Sequence, residues 1–376
     1  MIFYKLTTNT PLYSFNDPIG KVPIVNQTLS EHQEQIINSL GGEIISIHSE
    51  SEISNQVPYF VFDENLFFTQ PFLKKCLDLI KTKKENIQFA VNKNTFNERY
   101  ILPTNLDNEH QIIFNLKYHY EPGPWTIEMI RQKIFFASVD LPEQIIEGKK
   151  FHMHQSDTFA GHIISPFHLL QINIAFNLYR TVKLQKLIPE FLRSRFGRLN
   201  SPLFFRGLKR LNKIGNNCNI HPTALIEGSI IGDNVTIGAF AIIRLSVISA
   251  KVTVAEHVTV INSVLGEETY IANSNFIGNC VTYPNVFLIH GPYQASIFGK
   301  NSACFAVINC DYRLDQKNIQ IPTSQGILDS HQKILGIAYG HKSKTGGGNI
   351  IAAGRIVPND FEITPPNHII LNFKKS

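Results

Sequence analysis

IIGDNVTIGAFAIIRLSVISAKVTVAEHVTVINSVLG, residues 230–266, decides the architecture. Its aliphatic side chains belong to a longer series: Ile220, Ile226, Ile231, Ile237, Ile243, Ile248, Val254, Val260, Leu265, Ile271 and Ile277. The gaps run 6, 5, 6, 6, 5, 6, 6, 5, 6, 6, so the short gap falls at every third step and the pattern closes after 17 residues. A second ladder keeps the same period. Ser229, Ser246, Ser263 and Cys280 stand on the short side, and Val235, Val252 and Thr269 on another. A hexapeptide beat of this kind specifies a parallel β-helix. Each short strand sends one aliphatic side chain inward, and each coil buries its apolar face by stacking on the next.

Outward from that core, the chain has 376 residues, enough for two or three domains. It is 43% hydrophobic and 17% charged, a globular composition. Five cysteines, an odd number with no Cys-x-x-Cys, argue against a disulfide framework or a zinc site. Cys280, Cys304 and Cys310 follow the repeat and read as core. Met1 to Tyr13 lacks the order of a signal peptide, and no apolar run approaches about 18 residues, so a cytoplasmic chain is expected. No motif supports nucleic-acid binding.

Charge is uneven. Between Lys183 and Lys213 lie nine Lys or Arg and one acid, Glu190, a net +8 against +5 for the whole chain. Such a segment can touch an anionic membrane or hold phosphates. It also reads as a solvated linker, because Pro189, Gly197, Pro202 and Gly207 break it into short pieces.

Residues 1–160 read as an α/β domain, 161–215 as a helical, basic linker, and 216–376 as the β-helix with an excursion at 311–344. Ser30-Glu31-His32-Gln33 has the spacing of a capping box, and Gly41-Gly42 ends the helix it opens. Strands are expected at Glu43–His48, Tyr59–Asp63, Ile87–Val91, Gln111–Tyr118 and Lys133–Val139, and a second helix after Thr69. Their alternation with helices predicts a largely parallel sheet. Asp63 falls at a strand's carboxyl end, where it could hold a metal-bound phosphate or cap the next turn. A third helix is expected from Ser165-Pro166 onward.

Ile231-Gly232-Asp233-Asn234-Val235-Thr236-Ile237-Gly238 resembles the left-handed hexapeptide-repeat family, which implies triangular coils assembled as homotrimers. Ile19-Gly20-Lys21-Val22-Pro23-Ile24-Val25 resembles the Gly-Lys-Pro segment of sugar-nucleotidyltransferases, and Val61-Phe62-Asp63 their metal-binding strand end. Together the chain resembles the bifunctional N-acetylglucosamine-1-phosphate uridyltransferase/glucosamine-1-phosphate acetyltransferase family. The resemblance implies a nucleotidyltransferase-like, Rossmann-like α/β domain with Lys21 and Asp63 near a sugar nucleotide and possible Mg2+. It further implies a β-helix that uses acyl-CoA, with acetyl-CoA as the expected form. That family's Gly-rich phosphate loop has no counterpart, since residues 1–16 contain no Gly, so nucleotide binding without nucleotidyl transfer is expected.

In the acetyltransferase half of that family a His and a Tyr lie three residues apart. Aligned on Gly266-Glu267, the positions hold Asn273 and Phe276. Counting on by 17 gives His290 and Tyr293, a candidate general base and oxyanion donor. Cys310-Asp311-Tyr312 resembles the family's Cys-Asn-Tyr phrase, which with Asn273 implies substrate contacts. His341 and Lys342 fall in the expected excursion, where they could meet the phosphates of acyl-CoA. Two functions remain open: an acyltransferase acting on a sugar or sugar nucleotide, and a non-catalytic relative that binds or scaffolds.

Overall fold

The computed structural model describes residues 1–8, 10–53, 58–102, 106–107, 110–140, 150–187, 209, 212–313, 315 and 317–363. The chain divides into two compact units. One comprises Met1–Arg210 and Thr323–His331, the other Leu211–Pro322 and Gln332–Ser376.

The main sheet of the first unit runs, edge to edge, Trp125–Met129, Asn86–Asn92, Gln111–His119, Tyr59–Asp63, Ile2–Leu6 and Glu43–Ile47. Ile2–Leu6 is parallel to both its neighbours. Gln111–His119 is antiparallel to both of its own, so the sheet is mixed rather than largely parallel. That strand packs one face on the core and leaves the other partly open. Ile112, Phe114, Leu116 and Tyr118 are buried while the residues between them are only half-buried, the alternation of an antiparallel strand.

Helix α1 (Leu29–Ser39) begins at a capping box two residues before the expected one: Glu31 N donates to Thr28 Oγ1 (3.2 Å), and Thr28 N to Glu31 Oε2 (2.7 Å). Both phrases have the right spacing. Ser30 is engaged elsewhere, accepting from Lys5 Nζ at 3.3 Å. Helix α2 (Gln70–Ile80) follows Thr69, whose hydroxyl donates to Asp157 O at 2.8 Å instead of capping. After α3 (Thr95–Tyr100), helix α4 (Pro166–Leu187) opens with Pro at its first position, where a missing N–H costs nothing. Phe3, Phe60, Phe62, Phe72, Phe89 and Phe114 build the core of this unit.

The second unit is a three-faced parallel β-helix of the left-handed, hexapeptide class. Face one stacks eight strands from Lys213–Ile214 to Ile356–Val357, and face two eight from Asn219–Ile220 to Glu362–Ile363. Face three stacks five, from Leu225–Glu227 to Tyr293–Gln294. The chain turns the corners between faces in the left-handed backbone region. Asn234, Lys251, Glu268, Asn285, Asn301 and Lys342 mark the first corner. Phe240, His257, Ser274, His290 and Ala306 mark the second, and Leu245, Asn262, Asn279 and Ala295 the third. Ile237, Ile243, Ile248, Val254, Val260, Leu265, Ile271 and Ile277 fill the interior.

The small-residue ladder is a hydrogen-bond ladder. Ser246 N donates to Ser229 Oγ (3.1 Å), Ser263 N to Ser246 Oγ (3.1 Å), and Cys280 N to Ser263 Oγ (3.0 Å). Each hydroxyl satisfies a buried N–H one coil on, which an apolar side chain could not do.

Three expectations fail beyond Ile277. The 17-residue beat holds from Ile271 to Leu288. The next pairings, Ile277 with Tyr293 and Leu288 with Cys304, are 16 apart. Cys304 therefore points inward, and Phe305 turns outward, 41% exposed, against Phe287. Cys310 is half-buried instead of core. The excursion also ends early. The chain leaves after Ile308–Asn309 and rejoins face one at Ala338–Tyr339, so residues 338–344 are coil rather than loop.

Candidate functional site at the second corner

His290 takes its place from the shortened coil. The apex residues before it in the stack are Phe240, His257 and Ser274; the next position along each coil is Ala241 and Val258, both fully buried, then Asn275, 2% exposed, in line with Gly291. Asn275 Nδ2 donates to Ala272 O (2.6 Å) and Asn273 O (3.4 Å), while its Oδ1 accepts from Gly291 N of the next coil. Gly291 is required by that approach: a Cβ there would lie 2.6 Å from Asn275 Oδ1 and 2.8 Å from Tyr293 Cδ2. With one residue missing, His290 falls on the left-handed apex (φ 57°) in line with Ser274 (φ 60°), not in line with Asn273.

The His290 side chain is exposed, and Ser274 and Ala306, the apex residues on either side, are small. Among the described residues no hydrogen bond engages its ring. An uncommitted imidazole can accept a proton from a substrate group placed within reach.

Tyr293 does not join it. One coil short, it occupies the interior position of Ile277, is fully buried, and donates to Ile289 O (2.9 Å) and Cys304 O (3.3 Å). Burial pushes its hydroxyl far above the usual range, so it neither donates to a surface oxyanion nor exchanges protons there. The expected His–Tyr pair is thereby corrected. The spacing of interior positions holds the signal, since 288, 293, 298 and 304 give two short steps in succession where the pattern has one, but only Leu288 among them is aliphatic.

The other expected β-helix residues lie on different corners. Asn273 shares His290's corner and is exposed. Asp311 and Tyr312 stand where the excursion replaces the third corner. Asp311 O accepts from Leu335 N at 2.9 Å, burial raises its carboxyl pKa, and Tyr312 is bridged to Ile334. His341 and Lys342 form the first corner. His341 Nδ1 accepts from Lys300 N (2.8 Å), its ring meets Tyr283 edge-on (4.9 Å), and Lys342 Nζ lies 3.3 Å from Asp360. Neither residue belongs to the excursion, and neither shares a corner with His290.

In the α/β unit, Asp63 is already engaged. Asn115 Nδ2 donates to its Oδ2 at 2.6 Å, Asn115 N donates to His162 Nε2 at 3.2 Å, and His162 Nδ1 meets Asn65 Oδ1 at 3.0 Å. Burial raises the Asp63 pKa and lowers that of His162 to about 4. Among the described residues no three His, Cys, Asp or Glu group to hold a metal, and the Asp63 carboxylate is already committed to Asn115. Lys21 ends a short turn at Ile19–Lys21 and is exposed, with no contact to Asp63 among the described residues. Most of the basic segment 183–213 lies outside the described residues, and no described helix is long and apolar enough to cross a membrane.

Fold and topology define the class: a mixed α/β unit followed by a left-handed β-helix of hexapeptide coils. Within the chain, residues 209–297 match the family model of the GMPPB C-terminal domain. No curated protein matches the chain. Among solved structures it is similar to a point mutant of GDP-perosamine N-acetyl transferase from Caulobacter crescentus, in complex with CoA and GDP-perosamine. That likeness is at 18% identity and TM-score 0.19, over 40% of this chain and 50% of that one. It is also similar to a Bacillus cereus protein provisionally described as an acetyltransferase, at 13% identity and TM-score 0.16, over 38% of this chain and 79% of that one. The chain thus spans about half the length of the first of these.

Proposed function

We propose that the β-helix unit is an acyltransferase with His290 as general base. In this reading an amine or hydroxyl of a sugar or sugar nucleotide attacks the thioester carbon of an acyl-CoA, acetyl-CoA in the simplest case. His290 takes the nucleophile's proton as the new C–N or C–O bond forms. The C–S bond then breaks, and the proton passes to the departing thiolate. The observation that carries the reading is His290 itself: an exposed, uncommitted imidazole on an apex flanked by small residues, beside a face whose neighbouring strands lead into the excursion.

His290's own coil offers little for the oxyanion. Gly291 N–H is held by Asn275, Pro292 has none, and the Tyr293 hydroxyl is turned inward. A second copy of the chain is the natural source of further donors, which favours a homotrimer built through the β-helix. The α/β unit is read as binding a sugar nucleotide without making one, and the chain as cytoplasmic.

The test is acyl transfer from acetyl-CoA across a panel of amino sugars and their nucleotide forms, with light scattering for the assembly. His290→Ala should lower kcat by about 10²- to 10⁴-fold, the usual worth of a general base, without altering mass or melting. Equal rates in wild type and His290→Ala would remove His290 from the chemistry. A wild type that binds UDP-sugars by calorimetry but transfers nothing would leave the binding-protein reading, which the engaged Asp63 favours for the α/β unit.

A further inference from the structure

We infer that Asn275 is the positioning residue of this site: its side chain replaces the backbone residue the coil lacks and fixes the apex that carries His290. The inference rests on the assignment of His290 only where activity is the readout. Three observations converge. The coil step falls from 17 residues at Ile271–Leu288 to 16 at Ile277–Tyr293, so the missing residue lies between Leu288 and Tyr293. Asn275 is the polar member of a stack whose earlier members, Ala241 and Val258, are apolar and fully buried. All its amide groups are spent on this corner: Nδ2 on Ala272 O and Asn273 O, and Oδ1 on Gly291 N.

The physical consequence is local rigidity where it matters. His290 sits in the left-handed region, which is strained for a residue with a Cβ. It is followed by Gly291, whose backbone has the widest range of any residue. Without a tether, that Gly would let the apex relax and the imidazole move. The Asn275 carboxamide ties the apex to the corner of the preceding coil, as a missing peptide unit would have done. A displacement of about 1 Å at a catalytic group costs on the order of 10²-fold in rate.

Val258 shows that valine packs at this position of the stack, so Asn275→Val removes the tether while keeping an apolar filling. Hydrogen exchange of the peptide covering 287–293, read by mass spectrometry, should accelerate about tenfold in Asn275→Val, the scale of one lost hydrogen bond. The melting midpoint should fall only modestly, because the apolar filling is kept while Gly291 N–H loses its acceptor. Where acyl transfer is measurable, kcat should fall by 10- to 100-fold on the order expected for misplacement, with KM and the pH profile unchanged. Unchanged exchange in Asn275→Val overturns the inference whatever the activity. Faster exchange with wild-type kcat, in a protein whose His290→Ala variant is inactive, overturns the positioning role. If His290→Ala retains full activity, the assignment of His290 fails, and exchange alone decides whether the tether exists.

Discussion

Among the described residues only the α/β unit buries histidine. In the α/β unit, His32 and His168 are enclosed with both ring nitrogens engaged. His32 Nε2 donates to Phe68 O and its Nδ1 meets Gln27 Nε2, while His168 Nε2 donates to Leu102 O and its Nδ1 accepts from Ser165 Oγ. Burial lowers both pKa values to about 4. In the β-helix, His221, His257 and His290 stand exposed at the coil surface. A stacked coil has room inside for one aliphatic side chain per strand, so its chemistry is left outside on the corners. The sheet with helices has space for imidazoles, and spends them on backbone carbonyls. The lesson is that a polar group's availability follows from architecture before it follows from residue type.

The comparison breaks most sharply under Ile248→Asp. That change places an unpaired carboxylate inside a coil where Ile248 is fully buried, and should cost more than about 4 kcal/mol. Cys280 and Cys304, fully buried and with thiol pKa values raised to about 12, report on the β-helix. They should become reactive to iodoacetamide in the variant at neutral pH and remain protected in wild type. Protection retained in the variant would mean that the interior register is misplaced.

Acid should separate the units next. The folded α/β unit holds His32 and His168 neutral, whereas the unfolded chain binds protons near pH 6.5. Stability is therefore fully present above about pH 6.5, is lost as pH falls toward 4, and levels off below, by about 3 kcal/mol for each residue. Asp311 works in the opposite sense, since burial raises its carboxyl pKa and falling pH relieves that cost. Trp125, the chain's single tryptophan, lies in the α/β sheet, so its fluorescence follows that unit. Its denaturant midpoint should drop between pH 7 and 4.5 while thiol protection of Cys280 and Cys304 persists. Coincident loss of both signals would deny the contrast.

Smaller effects sharpen it. Ser263→Ala leaves Cys280 N–H without its acceptor and should destabilise the β-helix by about 1–3 kcal/mol, read as a lower melting midpoint. Lys251→Ala removes an exposed ammonium 3.0 Å from Glu267 and 3.1 Å from Glu268 and should leave melting unchanged, because water screens such pairs.

The β-helix was legible because its interior admits few side chains, so Ile220 to Ile277 had to keep the beat. The shortened coil was not, because Tyr293, Phe298 and Cys304 fill the interior in place of aliphatics and hide the step of 16. His290 was found by an offset that the structure does not keep, and the same offset misassigned Tyr293. In the α/β unit, helix α1 and the strands were readable from apolar spacing. The direction of Gln111–His119 was not, because direction depends on how the chain returns across the sheet. The engagement of Asp63 by Asn115, 52 residues away, has no local signature at all.

The excursion carries one more consequence. It leaves after Asn309 and the chain rejoins the stack at Ala338, with the coils before and after it still paired strand to strand. Closing a flexible loop costs only about 0.6 kcal/mol more for each doubling of its length. Strand pairing in the stack continues across the insertion, while Ile319, Ile321 and Leu335 of the inserted segment are buried. A long segment can therefore leave such a scaffold and return to it without interrupting the pairing of the coils on either side.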